Sequence, residues 1–217
     1  HGLSIDRHGN IWTTDVQLDV ARKYSPDGTL LLTLGTVGKP GVTPTTFNKP
    51  TNVVVAADDS IFVADGYGNQ RIVKFSKDGK YIKAWGKVGT QPGEFRIPHA
   101  ITQDLSGRII VADRCGLGET RCTDGRLQVF DTDGKFLTQW TTPSRAFAPF
   151  ALSVDTSDRL YVDDTQNNKV WILEAKTLKV IDSLDGASGH GMFVSRTGKD
   201  IYLTGAPNGL RRYTRVQ

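Results

Sequence analysis

The sequence predicts an all-β protein of the β-propeller class, and three observations carry that prediction. A hexapeptide recurs five times, as HGLSID from His1, TNVVVA from Thr51, HAITQD from His99, FALSVD from Phe150 and HGMFVS from His190. Each copy is followed at a near-constant offset by a β-branched and aromatic run: IWTTD, IFVAD, IIVAD, LYVDD and IYLTG. No window sustains apolar residues at helical spacing, and 23 glycines and 9 prolines keep interrupting the chain.

Within each copy the hexapeptide supplies the first strand. The second strand ends at Asp15, Asp65, Asp113 and Asp164, each 14 residues after the start of its copy, and at Gly205, 15 residues on, in the fifth. A third apolar segment follows in every copy, RKYS, RIVKFS, RLQVFD, KVWILE and LRRYT. Asp27-Gly28, Asp78-Gly79 and Asp133-Gly134 then mark a turn into a fourth segment such as YIKAWG or FLTQW. Glycine supplies the positive φ that such a turn needs, so the third and fourth segments read as a hairpin. Four short antiparallel strands in a repeat of roughly 40–50 residues describe a propeller blade.

The repeat predicts four complete blades, three strands of a fifth, and one propeller domain over residues 1–217. Two arrangements are open: five blades with an unclosed seam, or a ring to which an upstream segment contributes. Histidine heads the first, third and fifth copies only, and in a six-bladed ring those copies stand a third of a turn apart. A six-bladed ancestor that lacks most of one blade on its N-terminal side fits that alternation.

Composition sets outer bounds. The net charge is +4 and the isoelectric point about 9.1, but there is no run of Lys or Arg. The densest cluster is Arg211, Arg212 and Arg215, and Asp is interleaved in almost every blade. That pattern argues against nucleic acid as the partner. No segment approaches the roughly 18 apolar residues of a membrane span. Cys115 and Cys122 flank six residues in RCGLGETRC. A local disulfide there would be a loop clasp in a secreted or periplasmic protein. A metal-binding pair is the other reading, although the spacing is not that of a zinc ribbon.

The chemistry concentrates on the histidines. Three imidazoles at one repeat position, His1, His99 and His190, could meet on a common axis as a three-histidine metal site. Imidazole donors favour zinc or another borderline metal over the oxygen-ligated ions of lactonase-like propellers. In an up-and-down blade the loop after the second strand lies beside the head of the first, which places Tyr67 of ADGYGNQR and Arg114 of ADRCG next to the histidines. A metal and a guanidinium both favour a phenolate, making Tyr67 a candidate base. Arg114 offers a fork for a substrate carboxylate. His8 is expected only to face water.

Several segments together carry a family resemblance: HGLSID, VADGYGNQRIVKF at 63–75, PGEFRIPHAI, VADR and DGRLQVF. They resemble the lyase half of peptidylglycine amidating monooxygenase, the peptidyl-α-hydroxyglycine α-amidating lyase, a six-bladed propeller of NHL-type repeats. The likeness runs over most of the chain and is densest from Phe47 to Phe130. It implies a carbon–nitrogen lyase that splits peptidyl- or acyl-α-hydroxyglycine into an amide and glyoxylate. It also implies zinc on His1, His99 and His190, Tyr67 as the catalytic tyrosine of the DGY motif, and Arg114 as the arginine of the ADR pattern.

Departures from the family are specific. Its second active-site arginine lies ahead of the first histidine and has no counterpart here. Its structural calcium would use the Leu3 carbonyl, but Gly191 stands where the family has an acidic ligand. A disulfide of its animal members would need cysteines at Asn48 and Gly68. The CGLGETRC segment directly after Arg114 is instead expected to form a local rim. The alternative function is a catalytically silent NHL propeller that binds a protein, a peptide or RNA.

Overall fold

β-Branched and aromatic residues crowd into short runs between Gly-, Asp- and Pro-containing turns, and each run is a strand. The computed structural model describes residues 1–217 apart from 117, 144–145, 206–208 and 216–217. Strands β1 (Leu3–Ile5), β2 (Ile11–Asp15), β3 (Val20–Tyr24) and β4 (Leu30–Leu34) form the first sheet. The second holds β5 (Asn52–Val55), β6 (Ile61–Asp65), β7 (Arg71–Phe75) and β8 (Tyr81–Trp85). The third holds β9 (Ile97–Gln103), β10 (Ile109–Arg114), β11 (Arg126–Phe130) and β12 (Phe136–Trp140). In the fourth are β13 (Pro149–Val154), β14 (Arg159–Asp164), β15 (Lys169–Glu174) and β16 (Lys179–Asp185). The fifth has three strands, β17 (Gly191–Val194), β18 (Asp200–Gly205) and β19 (Gly209–Thr214).

Every sheet runs in chain order, the up-and-down meander of a propeller blade. This is the all-β propeller fold expected from the repeat, and no helix occurs among the described residues. β6, β7, β10 and β11 are buried along their whole length, whereas no residue of the fourth strands β8, β12 and β16 is buried. The hairpins into β4, β8 and β12 turn on Gly28, Gly79 and Gly134, with φ of 90°, 77° and 78°. An L side chain at those angles is strained, which is why glycine recurs there.

The chain divides into two compact units, His1–Ile101 with Asp133–Phe136, and Thr102–Thr132 with Leu137–Gln217. In the first unit Trp12, Ala21, Leu34, Phe47, Val53, Ile61, Val63, Val73 and Phe75 form one apolar cluster between the first two blades. In the second, Tyr161, Val170, Ile172, Ala187, Val194, Ile201 and Leu203 do the same for the last two.

The aspartate that ends each second strand is part of the frame. Asp65 is fully buried and accepts bonds from the Asn48 amide at 2.8 Å, Asn69 Nδ2 at 2.7 Å and Arg71 Nε at 2.9 Å. Burial still pushes its carboxyl above the usual range against those three donors. Arg71 also donates to the carbonyls of Val42, Thr43 and Thr46, so one guanidinium pins the 42–46 loop to β7. Asp113 repeats the device with Arg126 at 3.2 Å. Asp164 uses the Ala148 amide, Asn167 and Trp171. Arg71→Met keeps the apolar stem but strands a buried carboxylate, and it is expected to cost about 3–5 kcal/mol of stability. Denaturant unfolding checks this, and a midpoint unchanged from the parent protein would contradict it.

His8 departs from expectation. Rather than only facing water, its Nε2 lies 3.0 Å from Asp59 Oδ1, and Arg7 Nη2 lies 2.7 Å from Asp59 Oδ2. The pair links the β1–β2 turn to the β5–β6 turn. Arg7 first, and His8 second, hold the half-buried Asp59 carboxyl below its ordinary value.

Candidate metal centre

His1 precedes β1, His99 lies within β9, and Tyr67 follows β6, so all three reach their places from the heads and tails of neighbouring strands in the first unit. Gly66 makes this possible. A Cβ there would lie 2.2 Å from the Pro98 carbonyl oxygen and 2.8 Å from Thr51 Oγ1, so only glycine lets the Tyr67 loop close over the strand that carries His99. Backbone bonds from the Tyr67 amide to the Lys49 carbonyl and from the Gly68 amide to the Asn48 carbonyl fasten that loop.

The result is a three-residue constellation. Tyr67 Oη lies 3.0 Å from His1 Nε2 and 3.1 Å from His99 Nε2. The two imidazoles meet edge to face with centroids 4.8 Å apart. His1 Nδ1 lies 2.6 Å from the Thr51 carbonyl oxygen, which can only accept, so Nδ1 carries the proton and Nε2 presents its lone pair. His99 is buried, whereas His1 keeps solvent access.

The second unit holds the other two expected residues. Arg114 ends β10, is buried, and donates from Nη1 to the Cys115 carbonyl at 3.2 Å. Its guanidinium stacks 4.6 Å over the Phe150 ring, whose centroid is 5.6 Å from that of His190 at an edge-on angle of 72°. The His190 amide donates to the Thr204 carbonyl at 2.6 Å. His190 has exposed surface, yet the protein atoms around its ring disfavour the charged form and Arg114 adds to this, so its pKa lies below the ordinary histidine value.

Two residues beside the expected site carry no signal in the sequence beyond their place in the repeat. Thr51 and Phe150 occupy the repeat column of the histidines in the two blades that lack one. Thr51 orients His1 through its carbonyl, and Phe150 packs between Arg114 and His190.

Cys115 and Cys122 form the local disulfide, with Cα atoms 5.3 Å apart. The bond occupies both sulfurs, so the metal-pair reading of these cysteines is set aside, although Asp124 stands beside them.

Asp163 buttresses the approach to His190, accepting from the Gly189 amide at 3.2 and 3.1 Å. Burial first, and the neighbouring Asp164 second, push its carboxyl up to about 8, against the pull of the Gly189 amide. Between about pH 4 and that value the folded chain keeps a proton that the unfolded chain releases. Its contribution to stability is therefore fully present below about pH 4 and lost as pH rises through about 8. Asp163→Asn keeps an acceptor for Gly189 and removes the titration. Its melting temperature is expected to gain on the parent by about 4 °C or more between pH 5 and pH 8.5. Melting curves for the two proteins that shift in parallel with pH would contradict this.

Residues 45–116 match the DUF5128 family model, described as a 6-bladed β-propeller. Peptidyl-glycine alpha-amidating monooxygenase B of Xenopus laevis is 39% identical over 169 residues, which cover 74% of this chain and 18% of that protein. Peptidyl-alpha-hydroxyglycine alpha-amidating lyase 1 of Drosophila melanogaster is 38% identical over 236 aligned positions, covering 94% and 42%. NHL repeat-containing protein 3 of Homo sapiens is 38% identical over 140 residues, covering 60% and 38%. The chain thus spans less than half the length of the curated relatives it matches. By sequence and by fold, the chain is a β-propeller homologue of the peptidyl-α-hydroxyglycine α-amidating lyases and of the monooxygenases named for peptide amidation.

Proposed function

We propose that this protein is a zinc-dependent carbon–nitrogen lyase that converts peptidyl- or acyl-α-hydroxyglycine to an amide and glyoxylate. The observation that carries the reading is the Tyr67 hydroxyl held between the Nε2 atoms of His1 and His99, in a homologue of amidating lyases. The Tyr67 hydroxyl can donate to one of these nitrogens and accept from the other, and the same two imidazole nitrogens, both carrying lone pairs, would suit a cation as donors. That donor chemistry fits zinc. His190 is the proposed third ligand, on its repeat position and on the family resemblance. Calcium is not part of the proposal, because Gly191 offers no carboxylate to join the Leu3 carbonyl.

Bound zinc would polarise the substrate hydroxyl and favour its ionisation. Tyr67, as phenolate, takes the hydroxyl proton. The electron pair left on oxygen forms the aldehyde C=O, the C–N bond breaks with its pair on nitrogen, and Tyr67 returns the proton there to complete the amide. Arg114 grips the carboxylate, and Phe150, stacked beneath the guanidinium, fixes its plane. The Thr51 carbonyl keeps His1 in the tautomer that leaves Nε2 as donor. The disulfide suits an oxidising compartment, consistent with a secreted or periplasmic enzyme acting on peptides.

The test is incubation with α-hydroxyhippurate. Equal amounts of benzamide and glyoxylate are expected, the rate falling to background after chelation and returning with zinc. The second reading is a non-catalytic propeller that binds a protein or peptide: fold alone does not decide function, and one relative of comparable identity, NHL repeat-containing protein 3, is named for its repeats and not for a reaction. No product above the uncatalysed rate in zinc-loaded protein would select it.

A further inference from the structure

Arg114 is the last residue of β10, and the contacts that hold its guanidinium run through the residue that follows it. The guanidinium stacks 4.6 Å over the Phe150 ring, and its Nη1 donates to the Cys115 carbonyl at 3.2 Å. That carbonyl is placed by a chain of fixed points. The Cys115 amide donates to Cys122 Sγ at 3.3 Å across the disulfide, and both cysteines are buried. Cys122 is in turn tied to the fourth blade and its lead-in: its amide donates to Gln166 Oε1 at 3.0 Å, and its carbonyl accepts the Phe147 amide at 3.0 Å. Gly125 permits this approach, since a Cβ there would collide with the Phe147 carbonyl oxygen and lie 2.8 Å from Cys122 Sγ. Glu119, Thr120 and Arg121 between the cysteines are exposed, so the buried Cys122 anchors that end of the loop. Phe150 itself packs against the cluster formed by Cys115, Cys122 and Ala148. The ring beneath the guanidinium and the carbonyl beside it therefore rest on the same disulfide.

We propose that the Cys115–Cys122 disulfide is the positioning element for Arg114, and that affinity for the substrate carboxylate depends on it. The inference rests on the lyase reading, which assigns that carboxylate to Arg114. A guanidinium grips a carboxylate through two parallel N–H bonds only when the plane of its fork is fixed. Phe150 fixes the tilt of that plane, the Cys115 carbonyl fixes its rotation, and the disulfide supports both. Removing the sulfur bridge keeps the positive charge but frees the fork to turn. The carboxylate is unchanged by C–N cleavage, so the loss falls on bound substrate and transition state alike: KM rises and kcat holds.

The test is a Cys115→Ala, Cys122→Ala double variant, assayed with α-hydroxyhippurate and titrated calorimetrically with the unreactive N-benzoylglycine. A KM about tenfold higher and N-benzoylglycine binding about tenfold weaker are expected, with kcat and zinc content at parental values. A double-mutant cycle separates positioning from general loosening. In an Arg114→Met background the cysteine substitutions should change kcat/KM by no more than about twofold, because the group they position is gone. The same tenfold penalty with and without Arg114, or a parental KM in the folded double variant, would overturn the inference. Gln166→Ala, an exposed change that removes only the acceptor of the Cys122 amide, decides the matter if the cysteine variant does not fold. It should raise KM about threefold at constant kcat, and an unchanged KM there counts against the inference in the same way. If the zinc-loaded parent releases no glyoxylate yet binds N-benzoylglycine more weakly once the disulfide is removed, the lyase reading falls and the positioning of Arg114 stands. Neither turnover nor binding in the parent would remove both.

Discussion

Tyr67→Phe is expected to lower the rate of glyoxylate release by about 10²- to 10⁴-fold, the range lost when a positioned general base is removed. The substitution is narrow. It keeps the ring that packs edge-on against His1 and His99, with centroids 5.2 and 5.7 Å away, and deletes only the oxygen facing their Nε2 atoms. Metal content and melting temperature should therefore stay at parental values while kcat collapses. Unchanged kcat would show that another group takes the substrate proton.

His99→Ala should have the larger effect, removing both metal and turnover. Its imidazole is buried and belongs to β9, so solvent is a poor substitute for the missing nitrogen. Changes that merely disturb the orientation of a ligand cost about 10- to 100-fold in metal affinity, so loss of a ligand is expected to exceed that range. Dialysed protein should then hold much less than one zinc per chain. The cavity left behind also lowers stability, so far-ultraviolet circular dichroism must show the strands intact for the metal result to count. Stoichiometric zinc in a folded variant would contradict the proposed ligand set.

Much of this architecture is written in local patterns. IWTTD, IFVAD and KVWILE are strands with the same limits in the structure, because β-branched and aromatic runs end abruptly at turn residues. The repeat also placed Tyr67 beside two histidines, since an up-and-down blade returns the tail of its second strand to the head of its first. Less was legible where partners come from far away in sequence. The aspartate column looked like punctuation, yet Asp65 and Asp113 anchor buried arginines and Asp164 anchors Trp171. Thr51 and Phe150 are not legible from the side-chain chemistry of their column, because Thr51 meets His1 through its backbone carbonyl and Phe150 meets Arg114 through its ring face. His8 gave no local hint of Asp59, 51 residues away. The disulfide is readable from its spacing, but the bond from the Cys122 amide to Gln166 comes from 44 residues away and is not.

The most direct measurement is elemental analysis of protein purified without added metal, made on the same sample that is assayed for glyoxylate release from α-hydroxyhippurate. The account predicts one zinc per chain, turnover proportional to zinc occupancy, and loss of both in His99→Ala. Turnover that persists after zinc is stripped to a small fraction of the chains would contradict it.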